Sequence, residues 1–347
     1  MKIFMKGNEA IAESAIRAGC RFYAGYPITP QNEIPEYMAL RLREEGGVFV
    51  QGESEIAAIY MVMGGASMGT RCMTSSSGLG LSLKSEGLSY LAGSRLPAVV
   101  VDVMRGGPAI GSIGPAQQDY NFINKGLGSG GFSCMVLAPS TVQEAADLTG
   151  LAFELADRDR NPVILLLDGC IGAMMEDVAL PEPKATSAHA EWSLAKSERP
   201  FRMFTSFRLE MHLQEQFNCE MAELYNSWEE DVRYEEYQMA DAEYVIVAYG
   251  VTARVAKTVI GQLREQGHKI GLLRPITLTP FPRAYLGALS PDAIKGVLAT
   301  EMSVPGQMVV DVKNAVDRRI PVEFYGRSAG MMVDEAEMLQ AALKMMQ

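Results

Sequence analysis

The chain has 347 residues, 48% of them hydrophobic and 21% charged, which is ordinary globular composition with length for about two domains. Its formal net charge of −11 argues against non-specific nucleic-acid binding, because phosphate backbones are held by surplus Lys and Arg. Five dispersed cysteines without a CxxC spacing give neither a disulfide framework nor an iron–sulfur ligand run, and the apolar stretches are too short to span a bilayer. The expectation is a soluble protein of a reducing cytoplasm. His189, His212 and His268 lie far apart, so no zinc site or histidine-based triad is legible.

From residue 8 helical periodicity alternates with short buried-strand runs. Asn8 is the expected N-cap of a first helix that Gly19 ends, and "RFYAGYP" follows as a strand. Next come a helix over 32–43, a strand "GVFVQG", a helix over 54–68, a strand "RCMTSS" and a helix over 82–91. Strand "PAVVVDVM", a short helix over 116–124 and strand "SCMVLA" follow. Ser140 to Gln143 reads as a capping box opening a helix to Leu155, and "PVILLLDG" closes the set. Such alternation implies a parallel sheet covered on both faces, with ligands at the carboxyl ends of its strands. The loops after Tyr26, Gly52, Ser77 and Met104 are therefore the candidate site.

Residues 181–198 are polar and proline-bearing, as a connector is. Between Glu210 and Glu243 eleven acidic residues face one basic, and apolar residues at helical spacing predict a helix with an acidic, solvated face. A second α/β unit then runs through strands "YVIVAYG", "IGLLRP", "KGVLAT" and "PVEFYG", with helices over 252–266, capped by Thr252, and over 283–289 and 307–316. The expected division is 1–182, 183–242 and 243–347.

"GLGSGG" at 126–131 fits GxGxxG, but it precedes a strand rather than opening a helix, the wrong order for dinucleotide binding. No P-loop occurs. Gly78 and Gly80 lie between a strand and a helix, where backbone amides could meet a polar ligand or simply allow close packing. Glu53 and Glu55 open the apolar helix "EIAAIYMVMGGASMG". Acids there serve the helix dipole, yet Glu55 also faces a largely apolar site in which its proton could be shared with a ligand. Arg105, at a strand end before two glycines, is either a surface arginine or a fork for a substrate carboxylate.

"GYPITP", "ESEIAAIYMVMGGA", "SSSGLGLSLKSEG", "MRGGPAIGSIGPAQQD", "LRPITLTPFP" and "EMSVPGQM" stand in an order that resembles the alpha subunit of the 2-oxoacid:ferredoxin oxidoreductases. The set is most similar to the 2-oxoisovalerate branch, and it spans nearly the whole chain. The resemblance implies an α/β fold: a doubly wound thiamin-pyrimidine-binding domain followed by a transketolase C-terminal-like domain. It implies that Glu55 bonds N1′ of the aminopyrimidine of thiamin diphosphate, that the rim Tyr26–Pro30, with Pro27, presents Thr29 to the 2-oxoacid, and that Arg105 pairs with the substrate carboxylate. By the same matching Ser77, Gly78 and Gly80 line the cofactor cleft, Gln117, Gln118 and Asp119 stand near the active-site wall, and Glu53 is a cap or a rim charge. Two departures stand out. Leu79 replaces a proline of the family's loop, and Lys84 occupies a usually apolar position for which the sequence offers no account.

The G-D-G signature of a diphosphate and Mg2+ platform does not occur, nor does a cluster-binding cysteine run. The resemblance therefore implies a beta subunit carrying the diphosphate and Mg2+, a ferredoxin-like subunit carrying iron–sulfur clusters, and CoA and a small 2-oxoacid as substrates with ferredoxin as acceptor. The expected activity is oxidative decarboxylation of a branched-chain 2-oxoacid to an acyl-CoA. Alternatives are a 2-oxoglutarate-type or aryl-pyruvate enzyme of the same kind, or a non-catalytic scaffold that docks a partner on its acidic connector.

Overall fold

The computed structural model describes residues 2–184, 190–195 and 203–347; His189 and much of the expected connector lie outside them. In chain order the elements of the first half are β1 Lys2–Lys6, α1 Gly7–Arg17, β2 Phe22–Gly25, α2 Glu33–Glu44, β3 Val48–Gln51, α3 Glu55–Ser67, β4 Cys72–Ser76, α4 Leu79–Gly93, β5 Val99–Gly106, β6 Ser112–Pro115, α5 Tyr120–Lys125, β7 Met135–Leu137, α6 Val142–Asp159, β8 Val163–Asp168, α7 Gly169–Ala173 and β9 Met175–Ala179. After the connector come α8 Met211–Ser227, β10 Tyr234–Tyr237, β11 Tyr244–Val247, α9 Gly250–Glu265, β12 Ile270–Pro275, β13 Thr277–Thr279, α10 Arg283–Ala288, β14 Gly296–Glu301, α11 Met308–Ala315, β15 Val322–Gly326 and α12 Glu335–Met345.

The first sheet runs β13-β7-β8-β5-β4-β2-β3, parallel except for β13, with β6 folded back on β5. Its centre is a continuous apolar run because both faces are covered. Along β5, Val99, Val101 and Val103 enter the core shared with α1, α2 and α6, while Val100 and Met104 enter the core shared with α3 and α4. Asp102, in phase with Val100 and Met104, is a carboxyl in an apolar row and is wholly buried. The second sheet runs β10-β12-β11-β14-β15, with β10 antiparallel. No helix among the described residues is long and apolar enough to cross a membrane.

Several local expectations are corrected. The N-cap of α1 is Lys6, whose amide is taken by Glu9 at 3.0 Å; Asn8 is the second residue of the helix, buried, and donates to Pro30 O at 2.9 Å and Glu33 Oε2 at 2.8 Å. The box on α6 is shifted by one residue: Thr141 caps Glu144 N, and Glu144 takes the Ser140 amide at 2.7 Å. Helix α4 begins at Leu79, three residues before its expected start, and α5 begins later, at Tyr120. Tyr249, not Thr252, precedes α9 as N-cap. Strands β1, β6, β9, β10 and β13 and helix α12 had no clear sequence signal. β1 and β9 pair only with each other, so neither carries the apolar run of a central strand. The acidic stretch between Glu210 and Glu243 is α-helical only in its first half, as α8, with Glu215, Glu220 and Glu223 exposed; β10 lies in the rest.

The two sheets are locked together. β13, from the second half of the chain, is an edge strand of the first sheet. Gln117 donates to Tyr249 O at 2.9 Å and accepts from Met302 N at 2.9 Å and from the Thr252 hydroxyl at 3.1 Å, all without solvent exposure. Asp168, at the end of β8, accepts from Val251 N at 2.9 Å. The carboxyl end of the first sheet is thereby fixed against the second unit, and the candidate loops beside it gain a rigid floor.

Candidate active site

The 26–31 loop leaves β2 and is tied down from below. Tyr23 donates to Ser75 Oγ at 2.6 Å, Ser75 donates to Gln31 Oε1, and Gln31 donates to Tyr26 O at 3.3 Å. With Asn8 on Pro30 O, this chain of bonds leaves Tyr26 and Pro27 exposed at the rim. The Thr29–Pro30 peptide is cis, and Thr29 Oγ1 takes a 3.3 Å bond from Asn32 Nδ2. Arg105, nine-tenths buried at the end of β5, donates from Nη1 to Thr29 O at 3.1 Å, while its Nε has no partner. Loop and arginine form one unit.

Glu55 stands at the first position of α3, buried, with Ser54 as the cap accepting from Ala57 N at 3.2 Å. Glu53 is exposed and is no cap. Position 80 explains how Glu55 fits: a Cβ there would lie 2.5 Å from Glu55 Oε1, 2.4 Å from Ser76 Oγ and 3.2 Å from Ile28 Cδ1. Only glycine lets the carboxylate, the end of β4 and the 26–31 loop converge. Gly78, at φ +48, makes the turn from β4 into α4. The hydroxyls of Ser76 and Ser77 are buried beside this turn without a hydrogen-bond partner. Unsatisfied buried polar groups in a wall that also carries a carboxylate mark where a polar ring can be received.

Gln118 and Asp119 approach from the other side. Gln118 Oε1 accepts from Gly107 N at 3.1 Å and Ala329 N at 3.3 Å, so it fastens the β5–β6 turn to a loop of the second unit. Asp119 lies under Gly78, where an added Cβ would be 3.8 Å from Asp119 Oδ2. Burial pushes its carboxyl up to about 6 against the pull of Arg105. Its neighbour Asp102 is held well above the usual carboxylate range, first by burial and then by the charge of Asp119. Asp102 is therefore the member that keeps its proton beside Asp119. Sequence reasoning missed Asp102, although an acid inside "VVVDVM" was a signal. It placed Gln117 at the wall, whereas its side chain is used up in joining the units.

Lys84 is wholly buried one turn beyond Gly80, with Nζ 3.1 Å from Thr74 Oγ1 and 3.5 Å from the carbonyl oxygen of Glu55. Burial lowers it from the ordinary 10.5 to about 8, against the attraction of Glu55. The roomier clefts lie elsewhere, one of about 510 Å³ between the end of α4 and α8; none of the groups just described lines it.

Comparison with known proteins gives concordant matches. Residues 13–250 match the family model described as pyruvate flavodoxin/ferredoxin oxidoreductase, thiamine diphosphate-binding, and residues 242–338 match pyruvate:ferredoxin oxidoreductase core domain II. The chain is 47% identical to the ketoisovalerate oxidoreductase subunit VorB of Methanothermobacter marburgensis, over 97% of this chain and 96% of that one. It superposes with TM-score 0.88 and 26% identity on the 2-oxoglutarate:ferredoxin oxidoreductase of Magnetococcus marinus, solved with 2-oxoglutarate, coenzyme A and succinyl-CoA bound, and spans 65% of that longer chain. A split-gene transketolase, an inactive β4 tetramer, shares the fold at TM-score 0.61 and 14% identity over 98% of this chain and 97% of that one.

Proposed function

Because the chain belongs to the pyruvate flavodoxin/ferredoxin oxidoreductase family, we propose that it is the subunit that receives the aminopyrimidine of thiamin diphosphate in a CoA-dependent 2-oxoacid:ferredoxin oxidoreductase. The assembled enzyme oxidatively decarboxylates a branched-chain 2-oxoacid to its acyl-CoA and reduces ferredoxin. The observation that carries this reading is the convergence of Glu55 Oε1, the unpartnered Ser76 hydroxyl and Ile28 on the bare Cα of Gly80. A flat, polar, nitrogen-bearing ring fits that wall: it offers an atom to the carboxylate and partners to the serines, which the absence of a side chain at position 80 lets stand together.

Thiamin diphosphate supplies the carbanion chemistry when bound. Glu55 holds and exchanges a proton at N1′ of the ring, a role suited to a buried carboxylate at a helix start. Ser77, Gly78 and Gly80 form the wall behind the ring, with Tyr26 and Pro27 as its rim. Arg105, anchored by one arm to Thr29 O and with Nε still unsatisfied, has donors to spare for the carboxylate of the 2-oxoacid. Thr29 presents its hydroxyl to the same substrate, and Gln118 and Asp119 close the far side. The branched-chain preference is supported by the 47% identity to a ketoisovalerate oxidoreductase subunit, against 33% to 37% to 2-oxoglutarate synthase subunits, and by the apolar Ile28 beside the site. A beta subunit brings the diphosphate and Mg2+ platform, a ferredoxin-like subunit brings the iron–sulfur clusters, and the enzyme works in the cytoplasm. The proposed domains are 1–182 and 243–347, joined by 183–242, with β13 returning to the first sheet.

The test is anaerobic isolation of the complex with its partner chains, comparing wild type with Glu55→Gln. The variant should assemble and lose turnover of 2-oxoisovalerate by about 10²-fold or more. Near-normal turnover with full assembly would refute the assignment and leave a scaffold subunit in its place.

A further inference from the structure

Lys84 is not required by anything described so far, and its position is expensive. It is a fully buried cation with no carboxylate within ion-pair distance among the described residues, since its two contacts are a threonine hydroxyl and a backbone carbonyl. That carbonyl belongs to the first residue of α3, where the helix dipole repels positive charge. A buried lysine in such surroundings costs stability, and a methionine of similar volume would fill the space without that cost. Something must favour the charge.

The geometry says what. Gly80 and Lys84 are four residues apart on α4 and so share one face. Gly80 on that face touches the Glu55 carboxylate, and Lys84 on the same face touches the Glu55 main chain. The elements packed against Lys84 present few titratable groups: α3 presents Glu55, β4 presents the neutral hydroxyl of Thr74, and the flanking turns of α4 offer Gly80, Leu81, Gly87 and Leu88. The charge that acts on Lys84 is that of Glu55.

We propose that Lys84 is a positioning residue whose buried ammonium holds Glu55 as the carboxylate, so that the proton shared by Glu55 and the ring nitrogen of bound thiamin diphosphate resides on the ring. The inference rests on the reading of Glu55 given above. No proton is gained or lost in the sharing; only its place between Glu55 Oε1 and N1′ changes. Loss of the ammonium charge, by deprotonation of Lys84 or by substitution, removes that hold.

The experiment uses the complex isolated with its partner chains, loaded with thiamin diphosphate and Mg2+, as wild type, Lys84→Met, Thr74→Val and Glu55→Gln. Near-ultraviolet circular dichroism of the bound cofactor is followed from pH 6 to 10, together with kcat, KM and the thermal midpoint. In wild type the ring-protonated signal and kcat should fall together with a midpoint near pH 8. In Lys84→Met the signal should be weak and flat over the whole range, kcat lowered about 10- to 100-fold, KM little changed and the thermal midpoint equal or higher. Thr74→Val, which removes a bond that favours the ammonium, should move the wild-type midpoint to lower pH. If Glu55→Gln is inactive while Lys84→Met keeps the wild-type dichroism profile and kcat, Lys84 only fills space and the proposal is overturned. If Glu55→Gln itself remains active, the reading of Glu55 fails first and takes this proposal with it.

Discussion

Gly80 and Glu55 occupy one space: a Cβ on Gly80 would stand 2.5 Å from Glu55 Oε1, so the starts of α3 and α4 interlock only because position 80 has no side chain. In Gly80→Ala the methyl group must displace the Glu55 carboxylate, Ser76 or both, and a shift of about 1 Å at a reacting group costs about 10²-fold in rate. We expect that loss in kcat, with weaker thiamin diphosphate binding and little change in assembly, read by steady-state kinetics and cofactor titration. Unchanged kcat would mean that the carboxylate does not act from this position.

Arg105 is fixed to Thr29 O by one nitrogen and keeps an unsatisfied Nε. In Arg105→Lys the charge survives but the planar fork does not, so one amine must serve both the loop carbonyl and the substrate. The expected outcome is a KM for the 2-oxoacid raised about 10-fold or more, because each 1.4 kcal/mol of lost binding is a factor of ten. Retention of the wild-type KM would show that the fork faces the loop alone.

The strand–helix alternation was legible because central strands buried on both faces are written as apolar runs, unbroken over 163–167 in β8. Glu55, Gly78 and Gly80 could be read because position after a strand and before a helix is itself a signal. What was not legible depends on contacts between distant segments. Strand β13 is three residues long and is defined by its partner β7 rather than by its own pattern. Asn8 looked like a cap from its place in the chain, yet it serves the loop at Pro30, 22 residues on. Lys84 looked like an irregularity until the fold set its ammonium against Glu55.

Gln117 holds three groups in two segments of the second unit through its one side chain, at Tyr249 O, Thr252 Oγ1 and Met302 N. Gln117→Ala leaves all three buried without those partners, and each orphaned group costs about 1–3 kcal/mol. The urea midpoint should fall accordingly, and amide exchange should quicken at Met302 and in the first turn of α9, with slower exchange elsewhere unaffected. A midpoint equal to wild type would show that water replaces the glutamine.

Asp102 and Asp119 give the site a pH-dependent stability of definite sign. Both carboxyls are held above the ordinary 3.8, Asp119 at about 6 and Asp102 well above its usual range, with burial as the first cause in each. The unfolded chain gives up protons that the folded chain retains, so stability is complete below pH 4 and declines as pH rises through 6. For Asp119 alone the decline approaches 3 kcal/mol, order-of-magnitude arithmetic at about 1.4 kcal/mol per pH unit. In Asp102→Asn the side chain can never ionise beside Asp119, and Arg105 is left to draw the Asp119 carboxyl down. Urea unfolding at a series of pH values should show wild type losing stability between pH 4 and 7 and Asp102→Asn losing clearly less. Parallel curves for the two proteins would mean that the pair carries no shared proton and that the slope arises elsewhere in the chain.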